Sequence, residues 1–132
     1  MGKDDFGAAL DQFIEKARKE STRRIRRAGM VALRKIVLRT PVDTGCCRAN
    51  WRASVGFLDR TFNPAKCDKS GAATTSAASA RLESAVLGVD LWIGNSTPYV
   101  KPLEYGYSKQ SPEGMVRQTA DEIKTLIERG AL

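Results

Sequence analysis

Residues 4–38 read DDFGAALDQFIEKARKESTRRIRRAGMVALRKIVL and contain no proline. Apolar or small side chains recur there at Phe6, Leu10, Phe13, Ala17, Ser21, Ile25, Ala28, Ala32 and Ile36, in steps of three and four. That spacing puts them along one face of a single helix. At about 1.5 Å per residue the helix is roughly 50 Å long, more than a chain of 132 residues can cover completely. Its middle, EKARKESTRRIRR (15–27), offers only Ala17 and Ile25 for burial. This part is expected to bridge solvent or to be covered by another subunit. AGMVALRKIVL (28–38) is apolar over a wider face and is expected to supply the core. Gly7 and Gly29 each weaken the helix by about 1 kcal/mol, so a break is expected near Gly29 if anywhere.

Downstream, RTPVDTG (39–45) should stop the helix. Pro41 disfavours helical geometry at Thr40, and Asp43 and Gly45 supply turn chemistry. WRASVGFLD (51–59) alternates, with Trp51, Ala53, Val55 and Phe57 on one face, and predicts a half-buried strand. Residues 60–73 read as a loop. TTSAASARLESAVLG (74–88) has the composition of a linker, yet Ala78, Leu82, Ala85 and Val86 keep helical spacing. A short helix is expected, capped by Thr74 or Thr75 and ended by Gly88. VDLWIGN (89–95) predicts a second strand with Val89, Leu91 and Ile93 on one face.

YVKPLEYG (99–106) is expected to pair briefly at a sheet edge, since Pro102 excludes a central position. Ser111 followed by Pro112 predicts a helix start, and Val116, Ala120, Ile123 and Ile127 form an amphipathic face running to Gly130. The expected fold class is α+β in a single domain, residues 1–132. It has a long basic N-terminal helix (4–38), a small antiparallel sheet with loops and a short middle helix (41–110), and a C-terminal helix (111–129).

The formal net charge of +7 is uneven: residues 1–58 hold 13 Lys and Arg against 6 Asp and Glu, residues 59–132 hold 9 against 9. Such asymmetry marks a surface that meets nucleic acid or an acidic partner. The candidate basic face is Arg23, Arg24, Arg26 and Arg27, although Glu15–Lys19 and Glu20–Arg24 are also the i,i+4 pairs of a solvated, salt-bridged helix. Residues 14–50 lack aromatic side chains, which argues against stacking on single strands. No run has the length and apolarity of a membrane span, and MGKDDFGAAL lacks the bases and apolar stretch of a signal peptide. Synthesis and initial retention in a cytosol are expected.

Without histidine, neither a Ser–His–Asp nor a Cys–His arrangement can be assembled within this chain. Three cysteines with no CxxC spacing are a poor zinc set, and GNSTPYVK (94–101) lacks the Gly-Lys-Ser ending of a phosphate loop. No enzymatic role, metal or cofactor is expected. Tyr99, Tyr105 and Tyr107, framed by Pro98 and Pro102, are what an interface uses as anchors.

Two blocks, TPVDTGCCRANWRASVG (40–56) and GNSTPYVKPLEYGYSKQSPEGMVRQT (94–119), together resemble the neck or tail-completion proteins of long-tailed bacteriophages. The first block is carried by Pro41, Val42, Asp43, Thr44, Gly45, Arg48, Asn50 and Trp51. The second is carried by Asn95, Pro98, Tyr99, Leu103, Glu104, Tyr105, Gly106, Ser108, Pro112, Gly114, Met115, Val116 and Arg117. The N-terminal helix matches only in general character. The resemblance implies a virion structural protein, assembled in the host bacterial cytoplasm and located at the head–tail junction. It implies a homo-oligomeric ring, a hexamer being the expected form, between head-closure and tail-terminator proteins and in reach of packaged DNA. Arg48, Trp51, Tyr99, Tyr105 and Tyr107 are the candidate interface residues. The alternative reading is a small basic DNA-binding protein that uses the N-terminal helix.

Cys46 and Cys47 stand where that family commonly has a basic–apolar pair. Neighbouring residues bridge each other only by distorting the peptide between them. On a strand entry the two would point to opposite faces, one buried, the other able to meet Cys67 of the same or a neighbouring subunit. A disulfide among Cys46, Cys47 and Cys67 is therefore an expectation to test.

Overall fold

The computed structural model describes residues 3–132; Met1 and Gly2, at the head of the expected domain, lie outside the described residues. The fold is α+β. Helix α1 (Lys3–Arg39) is followed by a single turn, α2 (Cys46–Ala49), and by strand β1 (Trp51–Val55). Helix α3 (Ala72–Leu82), strand β2 (Leu91–Asn95), the short α4 (Val100–Glu104) and α5 (Val116–Glu128) complete it. The strands pair antiparallel with Trp51 opposite Asn95, Ala53 opposite Ile93 and Val55 opposite Leu91. Leu33, Ile36 and Val37 of α1 bury themselves among Trp51 and Ala53 of β1, Ala78 and Leu82 of α3, and Met115. The second half of α1 is thus the spine against which the sheet, α3 and α5 pack.

Gly29 does not break α1. A Cβ there would sit 3.2 Å from Leu91 Cδ1 and 3.4 Å from Leu82 Cδ1, so the missing side chain lets β2 and α3 close onto the helix. Thr40 ends it: its Oγ1 donates to Ile36 O at 2.7 Å and Pro41 follows.

Five local expectations are corrected. Cys46 and Cys47 enter one helical turn rather than a strand. Gly45, at φ 88, accepts from both Ala49 N–H and Asp68 N–H through its carbonyl, and that closes the turn. Phe57 is not part of β1; Gly56 turns the chain at φ 85 and Phe57 is exposed. Neither Thr74 nor Thr75 caps α3, and Gly88 does not end it. Asp68 caps from outside, accepting from Gly71 N–H at 3.0 Å, Thr74 N–H at 2.9 Å and the Thr74 hydroxyl at 2.8 Å. The helix stops at Leu82, well before Gly88.

The segment expected as an edge strand is α4. Pro102 sits in its first turn, where a missing N–H costs no intrahelical bond. Finally, α5 begins at Val116, not at Ser111–Pro112. The Ser111 hydroxyl instead donates to Gly114 O at 2.7 Å within the preceding turn. The far end of α5 is as expected: Gly130 (φ 68) donates to Ile127 O, and Ala131 N–H reaches Leu126 O, a Schellman closure.

Candidate functional site

The first candidate is the free half of α1. Residues 5–20 lie in solvent apart from a half-buried Gly7, and Gly29 is the first buried residue along the helix. Phe6 and Phe13 are 71% and 70% exposed, with Leu10 and Ile14 also exposed beside them. Four large apolar side chains at helical spacing in water form an unpartnered stripe. Charge divides along the same helix: residues 5–15 carry three acids and no base, whereas residues 16–39 carry ten bases and one acid.

Not all of those bases are free to meet a partner. Arg23, Arg24, Arg26 and Arg27 are exposed as expected, but Arg26 Nε donates to Ala85 O at 3.0 Å and ties α1 to the segment after α3. Lys35 and Arg39 both pair with Glu122 of α5. Those two cations hold the Glu122 carboxyl below the usual range.

The stripe does not end where the globule begins. Ile25, Ala28, Ala32 and Ile36 continue it and form one wall of an apolar groove whose other walls are β2 and α5. Two stretches of this groove, about 570 and 600 Å³, share Ala32, Ile93 and Ile123. The first stretch is floored by Val116, Ala120, Ile123 and Ile127, with Lys124 and Glu128 at its rim.

The candidate interface residues divide sharply. Trp51 is buried, its Nε1 donating to Thr40 Oγ1 at 2.7 Å; it is a core residue and presents no surface. Arg48 is half-buried and its guanidinium donates to Leu38 O, Thr40 O and Lys69 O at 2.7–3.0 Å. It locks the end of α1 to α2 and to the loop before α3. Tyr105 and Tyr107 do face solvent, at 74% and 85% exposure. The Arg117 guanidinium stands 4.8 Å from the centre of the Tyr105 ring. Tyr99 is also exposed, at 44%; its partial burial first, then the adjoining Cys46 thiol, pushes its hydroxyl up to about 12.

The two sequence blocks are brought together in space. Gln110 clasps Val42, its Oε1 accepting from Val42 N–H and its Nε2 donating to Val42 O. Asn95, paired with Trp51 at the end of the strand register, donates from Nδ2 to Cys47 O at 2.8 Å. Glu104, which sequence reasoning did not single out as a cap, accepts from the N–H groups of Met115 (2.7 Å), Val116 (2.6 Å) and Arg117 (3.1 Å). Arg117 Nε adds a fourth bond at 3.0 Å, and its Nη2 returns to Glu104 O. Burial raises the Glu104 pKa, but these donors outweigh it and leave the carboxyl below its ordinary range.

Cys46 and Cys47 are both buried, Cys67 is exposed, and all three are free thiols. The expected split, one thiol inside and one facing Cys67, is not what the α2 turn produces. Burial, the largest influence, pushes the Cys47 thiol up to about 11, the reverse of an activated nucleophile. Among the described residues no three His, Cys, Asp or Glu side chains gather as a metal site, and no helix is long and apolar enough to cross a membrane. No family model, curated protein or solved structure matches the chain.

Proposed function

We propose that this chain is a structural subunit of a bacteriophage head–tail junction, assembling through contacts between copies into a ring. The observation that carries the assembly part is the free half of α1: Phe6, Leu10, Phe13 and Ile14 lie in water on a helix that projects past its own core. A stripe of that size is a contact surface awaiting a neighbour. The junction assignment rests on the resemblance of the two blocks, whose residues here form one interlocked unit of α2, β1, β2, α4 and the start of α5. In the assembled ring Tyr105 and Tyr107 present amphipathic surface to adjoining subunits.

Antibody labelling of intact particles of the encoding phage tests this. Label at the junction of head and tail is expected; label elsewhere, or a chain absent from purified particles, overturns the assignment. The basic flank of α1 supports a second reading, a DNA-binding protein. Filter binding across salt concentrations separates the two, because a binder making several phosphate contacts loses about 10³-fold in affinity from low to moderate salt. Tight, steeply salt-dependent binding by a monomer favours that second reading.

A further inference from the structure

We propose that the tip of α1, residues 5–15, docks into the groove between α1, β2 and α5 of a second copy of this chain. The contact is head-to-tail, and it rests on the reading that the chain assembles with itself.

Three observations select this occupant. The first is reach. α1 is one continuous helix from Lys3 to Arg39, so Phe13 lies about 28 Å along the axis from Ala32, at 1.5 Å per residue. The tip cannot fold back into its own groove, and a matching tip must come from another molecule. The second is fit. Residues 5–15 span about 15 Å, as does the stretch of α5 from Val116 to Ile127 that floors the groove. The tip offers Phe6, Leu10, Phe13 and Ile14; the groove answers with the small Ala28, Ala32 and Ala120 between larger apolar walls. An amphipathic helix in such a trough is an established recognition mode.

The third is charge. The tip has acids and no bases, and the stretch of α1 that walls the groove, residues 25–36, carries Arg26, Arg27, Arg34 and Lys35 and no acid, with Arg26 tied to Ala85 O and Lys35 to Glu122. Lys124 lies on the rim, while Glu128 and Asp90 mark the ends of the groove. The competing arrangement, two rods side by side in antiparallel fashion, sets the basic stretches 16–27 of both copies against each other. Like charges oppose it. A tip-to-groove contact joins two different surfaces, so each copy keeps one free tip and one free groove. Such contacts extend until they close into a ring or run on as a filament.

The test uses two variants at exposed positions of the full chain, Phe13→Asp in the tip and Ile127→Asp in the groove, with Ala120→Glu as a second groove variant. Far-UV circular dichroism checks that each folds. Light scattering on a sizing column is expected to show assembly of the wild-type chain and about 100-fold weaker assembly for each variant. An equimolar mixture of Phe13→Asp with either groove variant should form a one-to-one dimer and nothing larger, because one intact tip meets one intact groove. Variants that assemble like the wild type, a mixture that stays monomeric, or a wild-type chain monomeric at about 1 mM each overturn the proposal. Wild-type assembly untouched by the variants overturns this contact alone and leaves the ring standing. The particle labelling decides the junction assignment separately.

Discussion

Replacing Glu104 by Gln tests how the second sequence block folds. The carboxylate accepts four N–H donors: Met115 just before α5, the first two residues of α5, and Arg117 Nε. Its side chain is 13% exposed, that of Arg117 57%. A glutamine keeps one oxygen, which can still serve Met115 and Val116, but turns an NH2 toward the two Arg117 donors. Two bonds are lost at donors that water can reach, about 1 kcal/mol each, and the remaining two lose their charge assistance, about 0.5 kcal/mol each. The total is about 3 kcal/mol, or roughly 12 °C in Tm for a chain of this size. Urea melts followed by circular dichroism should show a lower midpoint with an unchanged slope.

The pH dependence follows from the sign of the shift. The folded pKa lies below its unfolded value, so the Glu104 contribution is complete above the unfolded value. It is lost as pH falls through the folded one. The gap between wild type and variant should therefore narrow with acidification. A Tm loss under about 3 °C at pH 7, or a gap that widens in acid, would refute the reasoning.

Three further outcomes are expected. Asp68→Ala should cost about 1–2 kcal/mol through loss of the α3 cap, read as a lower urea midpoint; an unchanged midpoint contradicts the assignment of the cap. Gly114→Ala should be more damaging than either, since φ is 83 and a Cβ would lie 2.2 Å from Glu104 O; a fully stable variant would show that the turn can shift. In the native chain at pH 8 a thiol reagent should modify Cys67 alone, with Cys46 and Cys47 reacting only on unfolding. Three thiols reacting at once would show that the α2 turn opens readily.

Where a pattern was repetitive and local, the sequence was legible. The three-and-four spacing from Phe6 to Ile36 announced α1, including its excess length, because a helix face needs no distant partner to be recognised. The Val116–Ile127 face and the Gly130 stop were readable for the same reason, as was β1 from its alternation. Most of the misreadings involve a distant group. Ser111–Pro112 looked like a helix start, but the cap of α5 is Glu104, eleven residues before Met115 and across a turn. Thr74 looked like a cap and is instead a donor to Asp68. Cys46 and Cys47 curl into a turn because Gly45 O also receives Asp68 N–H from a later loop. Arg48 and Trp51, grouped with the tyrosines by the resemblance, point inward, since the carbonyls at the end of α1 and Thr40 Oγ1 supply their partners. The groove was illegible because its walls come from three separated segments.

Hydrogen exchange of the amides of residues 5–20, measured in the dilute chain and in the assembled state, tests most directly whether α1 is completed by a neighbour. Rapid exchange in the dilute chain and slowing of at least about 100-fold on assembly are predicted. Equal rates in the two states would contradict the account, for the free helix would then have no partner to find.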